Sequence, residues 1–231
     1  MKKFFIIACI LLLTGCNQLF QSNVVIDWVD FLQFEGEEYL GSQLEIADPN
    51  LIGEKIGEIK HMLEGNVRNP NYKSKNGDAA FLSVGTVLYE IKNEPNLIAI
   101  RDKDSINGYK IYYKMDKWKD FPSILKDEVA RVQLFDEVSY NQFILRKAIT
   151  EKKDISQLID ILQSGKTDTT VAFDYSNPKM SSYVILVYTS APVAEKIPFF
   201  FDGEQYFWYN HDSEVMPDEI EEVLSVGNDK K

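Results

Sequence analysis

Ten apolar residues in a row, Phe4 to Leu13, stand directly behind Lys2-Lys3 and directly before Thr14-Gly15-Cys16. No other stretch constrains the chain as strongly, because this one fixes the compartment in which the rest must fold. A membrane-spanning helix needs about 20 apolar residues. A shorter run, with charge before it and small residues after it, has the three parts of a secretory signal peptide. Residues 1–15 therefore read as an export address that is removed, and the remainder as a chain that folds outside the cytoplasm.

The ending Leu13-Thr14-Gly15-Cys16 closely resembles the lipobox of bacterial lipoproteins. That resemblance implies a diacylglyceryl thioether on Cys16 and cleavage just before it. The residue types suit the chemistry: Leu13 fills an apolar pocket, Thr14 and Gly15 let the peptidase close on the bond, and Cys16 supplies the nucleophile that takes the lipid. Two acyl chains anchor stably where one does not, so the implied location is the outer face of the cell membrane. Beyond the lipobox, the chain is similar in character to the uncharacterised small lipoproteins of Gram-positive bacteria.

Processing changes the charge and empties the chain of thiols. Removing residues 1–15 takes Lys2 and Lys3 and no acids, which moves the formal net charge from −11 to −13. Such a surface repels nucleic acid and anionic headgroups. Cys9 leaves with the signal and Cys16 carries lipid, so no disulfide, cysteine-based zinc site or thiol catalysis remains. His61 and His211 are the two histidines, and no metal motif can be written around either. The expectation is no cofactor and no metal, and reductant should leave the melting temperature of the processed chain unchanged. A clear drop with dithiothreitol would show that the processing site is misread.

Along the chain, polar residues 16–27 read as a lipidated tether. Strands are expected at Trp28–Phe34 and Glu37–Gly41 around a Glu35-Gly36 turn, since glycine takes the positive φ of tight hairpins. Asp48-Pro49 starts a short helix, either continuing through Ile52, Ile56, Ile59 and Leu63 at helical spacing, against Gly53 and Gly57, or running into a strand near Glu58–Met62. Glu64–Ala79 reads as a long mobile loop. Phe81–Ile91, Leu97–Arg101 and Tyr109–Tyr113 follow as strands, the last after an Asn107-Gly108 turn. A boundary is placed between Met115 and Pro122. The second half opens with a helix at Pro122–Glu128, then strands at Arg131–Asp136 and Gln142–Ala148. Asp154 is expected to cap a helix burying Ile155, Leu158, Ile159 and Leu162 and ending at Gly165. Strands at Thr169–Tyr175 and Ser182–Thr189 precede a final hairpin, Ile197–Phe201 with Glu204–Tyr209, and a helix at Pro217–Leu224.

Motifs that carry chemistry are sparse. Ser-x-x-Lys occurs at Ser123–Lys126 and at Ser176–Lys179, without the Lys-Thr-Gly that penicillin-recognising enzymes need. Gly165-Lys166-Thr167 ends a helix where a phosphate-binding loop should begin one. Asp102–Gly108 has Ile106 where a calcium loop needs oxygen and reads as an acidic hairpin tip. Acid pairs such as Glu37/Glu38 and Glu219/Glu221/Glu222 serve a glycosidase only if two carboxyls face each other across about 5–10 Å; solvated faces are the plain reading.

The aromatic run Phe199-Phe200-Phe201 and Tyr206-Phe207-Trp208-Tyr209 is the most distinctive feature after the anchor. A two-residue turn at Asp202-Gly203 pairs Phe201 with Glu204, Phe199 with Tyr206 and Ile197 with Trp208, and places those residues on a core face. Phe200, Phe207 and Tyr209 then lie on the opposite face, either covered by the helix at Pro217 or exposed to a glycan or peptide ligand. Phe34–Tyr39 and Phe201–Tyr206 look alike, which turn chemistry explains as well as duplication does.

The expected fold is α+β: mostly antiparallel β hairpins with a few short helices, in two small domains, 28–116 and 117–228. The expected function is a membrane-anchored extracytoplasmic lipoprotein with a non-enzymatic binding or accessory role. Its partners are the membrane, through Cys16, and a protein or glycan ligand. The alternative is a cell-envelope hydrolase that acts on glycan or peptide with a carboxylate pair.

Overall fold

A computed structural model of the chain describes residues 26–120, 129–174, 176–210 and 212–225. The signal peptide, Cys16, the helix expected at Pro122–Glu128 and His211 lie outside them. The described residues form a β-rich, almost wholly antiparallel fold with two short helices, α1 (Lys152–Gln163) and α2 (Ile220–Ser225). Nine strands run side by side in one sheet: Gln142–Ile149 (β10), Arg131–Ser139 (β9), Ser181–Tyr188 (β12), Val193–Phe201 (β13), Glu37–Ile46 (β2), Tyr109–Lys114 (β8), Leu97–Arg101 (β7), Val87–Ile91 (β6) and Ile52–Glu58 (β3). The two halves of the chain meet where β2 and β13 pair, Val193 opposite Ile46 and Glu195 opposite Leu44.

The first hairpin forms as its sequence requires. β1 (Phe31–Phe34) pairs with β2, Phe34 opposite Glu37, across the two residues Glu35 and Gly36. Both sit at positive φ, 51° and 83°, the pair of angles that matches strand twist in a two-residue turn. Asp48 then accepts from the Asn50 amide at 2.9 Å and starts a single 3-10 turn at Pro49–Leu51. The chain continues as strand β3 and not as helix. Gly53 and Gly57 account for this: the Glu90 and Phe34 side chains lie where Cβ atoms at these positions would be, so the segment packs flat against its neighbours.

The N-terminal half is apolar on both sheet faces. Leu97, Ile98, Ala99 and Ile100 are all buried, as a continuous apolar run in a central strand requires. Leu32, Tyr39, Ile59, Leu88, Ile98 and Tyr112 pack on one face, and Ile46, Ile91, Leu97, Ala99 and Ile111 on the other, together with Val193 from the second half. The segment expected as a mobile loop is tied down instead. Leu63 packs with Phe31 and Ala80, and a short parallel pairing joins β4 (His61–Met62) to β5 (Asp78–Ala79). The expected strand from Phe81 begins at Val87, because Gly85 turns at φ 87°.

In the C-terminal half, α1 and α2 cover one face of β9, β12 and β13. Ile155, Leu158, Ile161 and Leu162 from α1, and Ile220, Val223 and Leu224 from α2, enclose Val132, Leu134, Ile185, Ile197, Phe199 and Trp208. Glu151, not Asp154, occupies the N-cap of α1, and Asp154 lies in the first turn. Ile161 takes the buried place expected of Ile159. Residues 169–174 do not form the expected strand, whose last position, Tyr175, lies outside the described residues. Only Lys166–Thr167 (β11) pairs, with Asp212–Val215 (β15). Asp168 then accepts from the Thr170 amide at 2.9 Å and Asp174 from the Ser176 amide at 2.8 Å. Side chains that bond two residues ahead turn the backbone out of extension.

Candidate functional site

The aromatic hairpin keeps its expected faces but not its register. β13 pairs with β14 (Tyr206–Asn210) as Phe201–Tyr206, Phe200–Phe207 and Phe199–Trp208, across the four residues 202–205. Asp202 is the reason. Its Oδ1 accepts from the amides of Glu204 and Gln205 at 2.8 and 2.9 Å, which widens the loop. A shift of two residues preserves side-chain direction, so Phe199 and Trp208 remain on the core face. The Trp208 indole N–H donates to Glu214 at 3.0 Å. On the other face Phe207 is fully buried. Its cover is not α2, which lies on the Trp208 side. Phe173 from the turn segment packs edge-on against Phe200, ring centroids 4.8 Å apart, and Phe200 lies 5.4 Å from Phe207.

The sequence-level catalytic candidates do not converge. Glu37 and Glu38 are neighbours on one strand and point to opposite faces. Glu219, Glu221 and Glu222 are exposed around α2. The Ser176 hydroxyl donates to Asp174 at 2.7 Å and is spent on its own turn. In the Asp102 loop the carboxylate accepts from the Asp104 amide and the Ser105 hydroxyl. Among the described residues no three His, Cys, Asp or Glu side chains gather as a metal site.

Two buried acids carry the polar chemistry, and composition alone does not reveal either. Asp78 is wholly buried. Its Oδ2 accepts from the Tyr72 hydroxyl and the Lys75 amide, both at 2.8 Å, and its Oδ1 lies 3.2 Å from Nδ1 of the exposed His61 ring. That oxygen is buried and accepts no hydrogen bond from the described residues. His61 itself is exposed.

Glu45 is the second. It lies on β2 opposite Ala194 of β13, with 2% of its surface exposed. Its two oxygens accept from the amides of Ile106 and Asn107 at 3.1 and 3.2 Å, and Lys196 Nζ stands 3.6 Å away. Burial pushes its carboxyl above the ordinary range, while Lys196 and the two amides offset only part of that. The Asn107 side-chain amide donates to Ile46 O at 2.8 Å and reaches the Tyr188 hydroxyl at 3.4 Å; that hydroxyl donates to Gln133 at 2.6 Å. The sequence signal was an acid set between Leu44 and Ile46, in a strand position that alternation leaves free to face inward or outward.

Four of the exposed large apolar side chains lie on one hairpin, the neighbours Ile144 and Leu145 on opposite faces of it. Val138, Tyr140, Ile144 and Leu145 surround the β9–β10 hairpin, at the edge of the sheet. No family model, curated protein or solved structure matches the chain.

Proposed function

We propose that the chain is a membrane-anchored extracytoplasmic lipoprotein with a non-enzymatic binding or accessory role. The observation that carries this reading is Leu13-Thr14-Gly15-Cys16 at the end of the ten-residue apolar run. Among the described residues no helix is long and apolar enough to cross a membrane. At full extension a tether of residues 16–27 reaches about 40 Å, long enough to hold a folded body at the surface. Binding is supported by the apolar side chains that the edge hairpin leaves exposed, Val138, Tyr140, Ile144 and Leu145, each about half exposed or more. The reading keeps two small domains, 28–116 and 117–228, supported by the distinct apolar clusters on either side of the β2–β13 seam.

Cys16→Ser is expected to abolish incorporation of labelled lipid and to move the protein from the membrane fraction to the soluble fraction. An unmodified thiol at Cys16 of the wild-type protein, seen by mass spectrometry, would overturn the anchor.

A further inference from the structure

The tether enters the fold at one place, and the surface there differs in character from its surroundings. Trp28, the first residue beyond the tether, packs with Val67 and Tyr72 against the small cluster of Phe31, Leu63 and Ala80. Backbone bonds pin that cluster: the Ala80 amide donates to Phe31 O and the Glu64 amide to Ala80 O, both at 3.0 Å. Side chains one position from its members therefore stand around it. Two are large and apolar, Val29 beside Trp28 and Phe81 beside Ala80, 66% and 46% exposed. Two are cations, Arg68 beside Val67 and Lys73 beside Tyr72, both exposed. Lys75 adds a third, its amine 5.9 Å from the Tyr72 ring centre.

The charge here runs against the rest of the chain, whose acids outnumber its bases 36 to 25. Elsewhere cations are taken up by carboxylates: Lys55 by Glu58, Lys110 by Asp30, Lys114 by Glu37 and Arg146 by Asp136. Arg68, Lys73 and Lys75 have no ion pair among the described residues. Glu64 is the exposed acid within residues 63–77. Asp27 and Glu35 border the segment, the latter through the turn whose Gly36 amide donates to Asn76 at 2.7 Å.

We propose that this face lies against the anionic headgroups of the bilayer that holds the tether, with Val29 and Phe81 entering the interface and Arg68, Lys73 and Lys75 on the headgroup phosphates. The lipid anchor at Cys16 is the reading that brings the face to a bilayer; the affinity of the face does not depend on it. A tether of residues 16–27 reaches about 40 Å at most, and the surface around its point of attachment meets the bilayer at the highest effective concentration. Trp and Tyr beside Lys, Arg and exposed apolar side chains are the composition of interfacial segments. The net negative charge of the processed chain does not forbid the contact. Screening acts over about 8 Å at physiological ionic strength, so the headgroups respond to the cations that touch them and not to acids on the far side.

The test uses the processed chain, residues 16–231, whose single thiol at Cys16 is coupled to a maleimide-bearing lipid in vesicles of phosphatidylcholine, alone or mixed with phosphatidylglycerol. Coupling fixes the tether whether or not the cell lipidates Cys16, so the face is tested apart from the anchor. Hydrogen exchange across residues 64–77 is expected to slow several-fold on the mixed vesicles relative to the uncoupled chain, and to recover most of its speed in high salt. In the triple variant Arg68→Gln, Lys73→Gln, Lys75→Gln the slowing should be lost. These side chains are exposed, and the salt series on the wild type decides the matter should the variant fold poorly. Unchanged exchange at 64–77 on the mixed vesicles, equal slowing on phosphatidylcholine alone, or slowing at the β9–β10 hairpin in its place would each overturn the proposal. An unmodified Cys16 in cells would overturn the anchor and leave the coupled result standing.

Discussion

Trp208→Ala and Phe207→Ala, one on each face of the same strand, are each expected to lower stability by about 3–5 kcal/mol, the range for truncating a buried aromatic. Trp208 is 7% exposed and Phe207 fully buried. Trp208 lies in the cluster closed by α1 and α2 and also loses its bond to Glu214. Phe207 stacks under Phe200, itself covered by Phe173. In a chain of this size each kcal/mol shifts the melting temperature by about 2–4 °C, so either change should lower it by roughly 6–20 °C. Phe200→Ala, at a half-buried position, should cost about 2 kcal/mol. Urea unfolding of the three variants decides the layering. A neutral Phe207→Ala would put that face in solvent and restore an exposed aromatic surface; a neutral Trp208→Ala would remove it from the core.

How far the sequence reaches is visible in that hairpin. Which residues share a face depends only on alternation, so Phe199 and Trp208 are legible as core from the residues alone. Which residues pair depends on loop length, and that was set by one side chain. Glu35 and Asp202 open turns that look alike, but Asp202 is one methylene shorter and bonds the amides two and three residues ahead. The first loop therefore closes with two residues and the second with four. Asp168 and Asp174 act in the same way on the strand expected at Thr169–Tyr175. Local side-chain bonds overrode a correct apolar pattern in both places.

The polar core was harder to see. An acid within a strand reads as solvent-facing until its partners are known, and the partners of Glu45 are backbone amides 61 and 62 residues away. Asp30 is similar: it accepts from the Tyr112 hydroxyl at 2.9 Å, and burial together with that carboxylate drives the phenol well above its usual pKa. Gly41 permits this arrangement, since a Cβ there would collide with the Asp30 carboxylate. None of these pairings leaves a periodic trace, because each joins residues far apart in the chain.

Asp78→Ala is the polar change expected to matter most. The side chain is wholly buried and holds the 63–77 segment against β1 and β5 through Tyr72 and Lys75. Hydrogen bonds to a charged group contribute about 1.5–3 kcal/mol each. Two are lost together, and the exposed side of the segment lets water replace part of them, so a net cost of about 3 kcal/mol is expected. Asp78→Asn keeps the shape and one acceptor and should cost roughly half as much. Tyr72→Phe, which removes one donor and leaves the carboxylate its amide, should cost about 1–2 kcal/mol. Because the contact is local, the loss should also show as faster limited proteolysis between residues 64 and 77, with little change at β12 or β13. If Asp78→Ala unfolds within about 0.5 kcal/mol of the wild type, the ordinary range for surface changes, the segment is held by Leu63 and its apolar neighbours alone. A large loss confined to urea unfolding, without local cleavage, would instead place Asp78 in the global core and not in the loop's anchor.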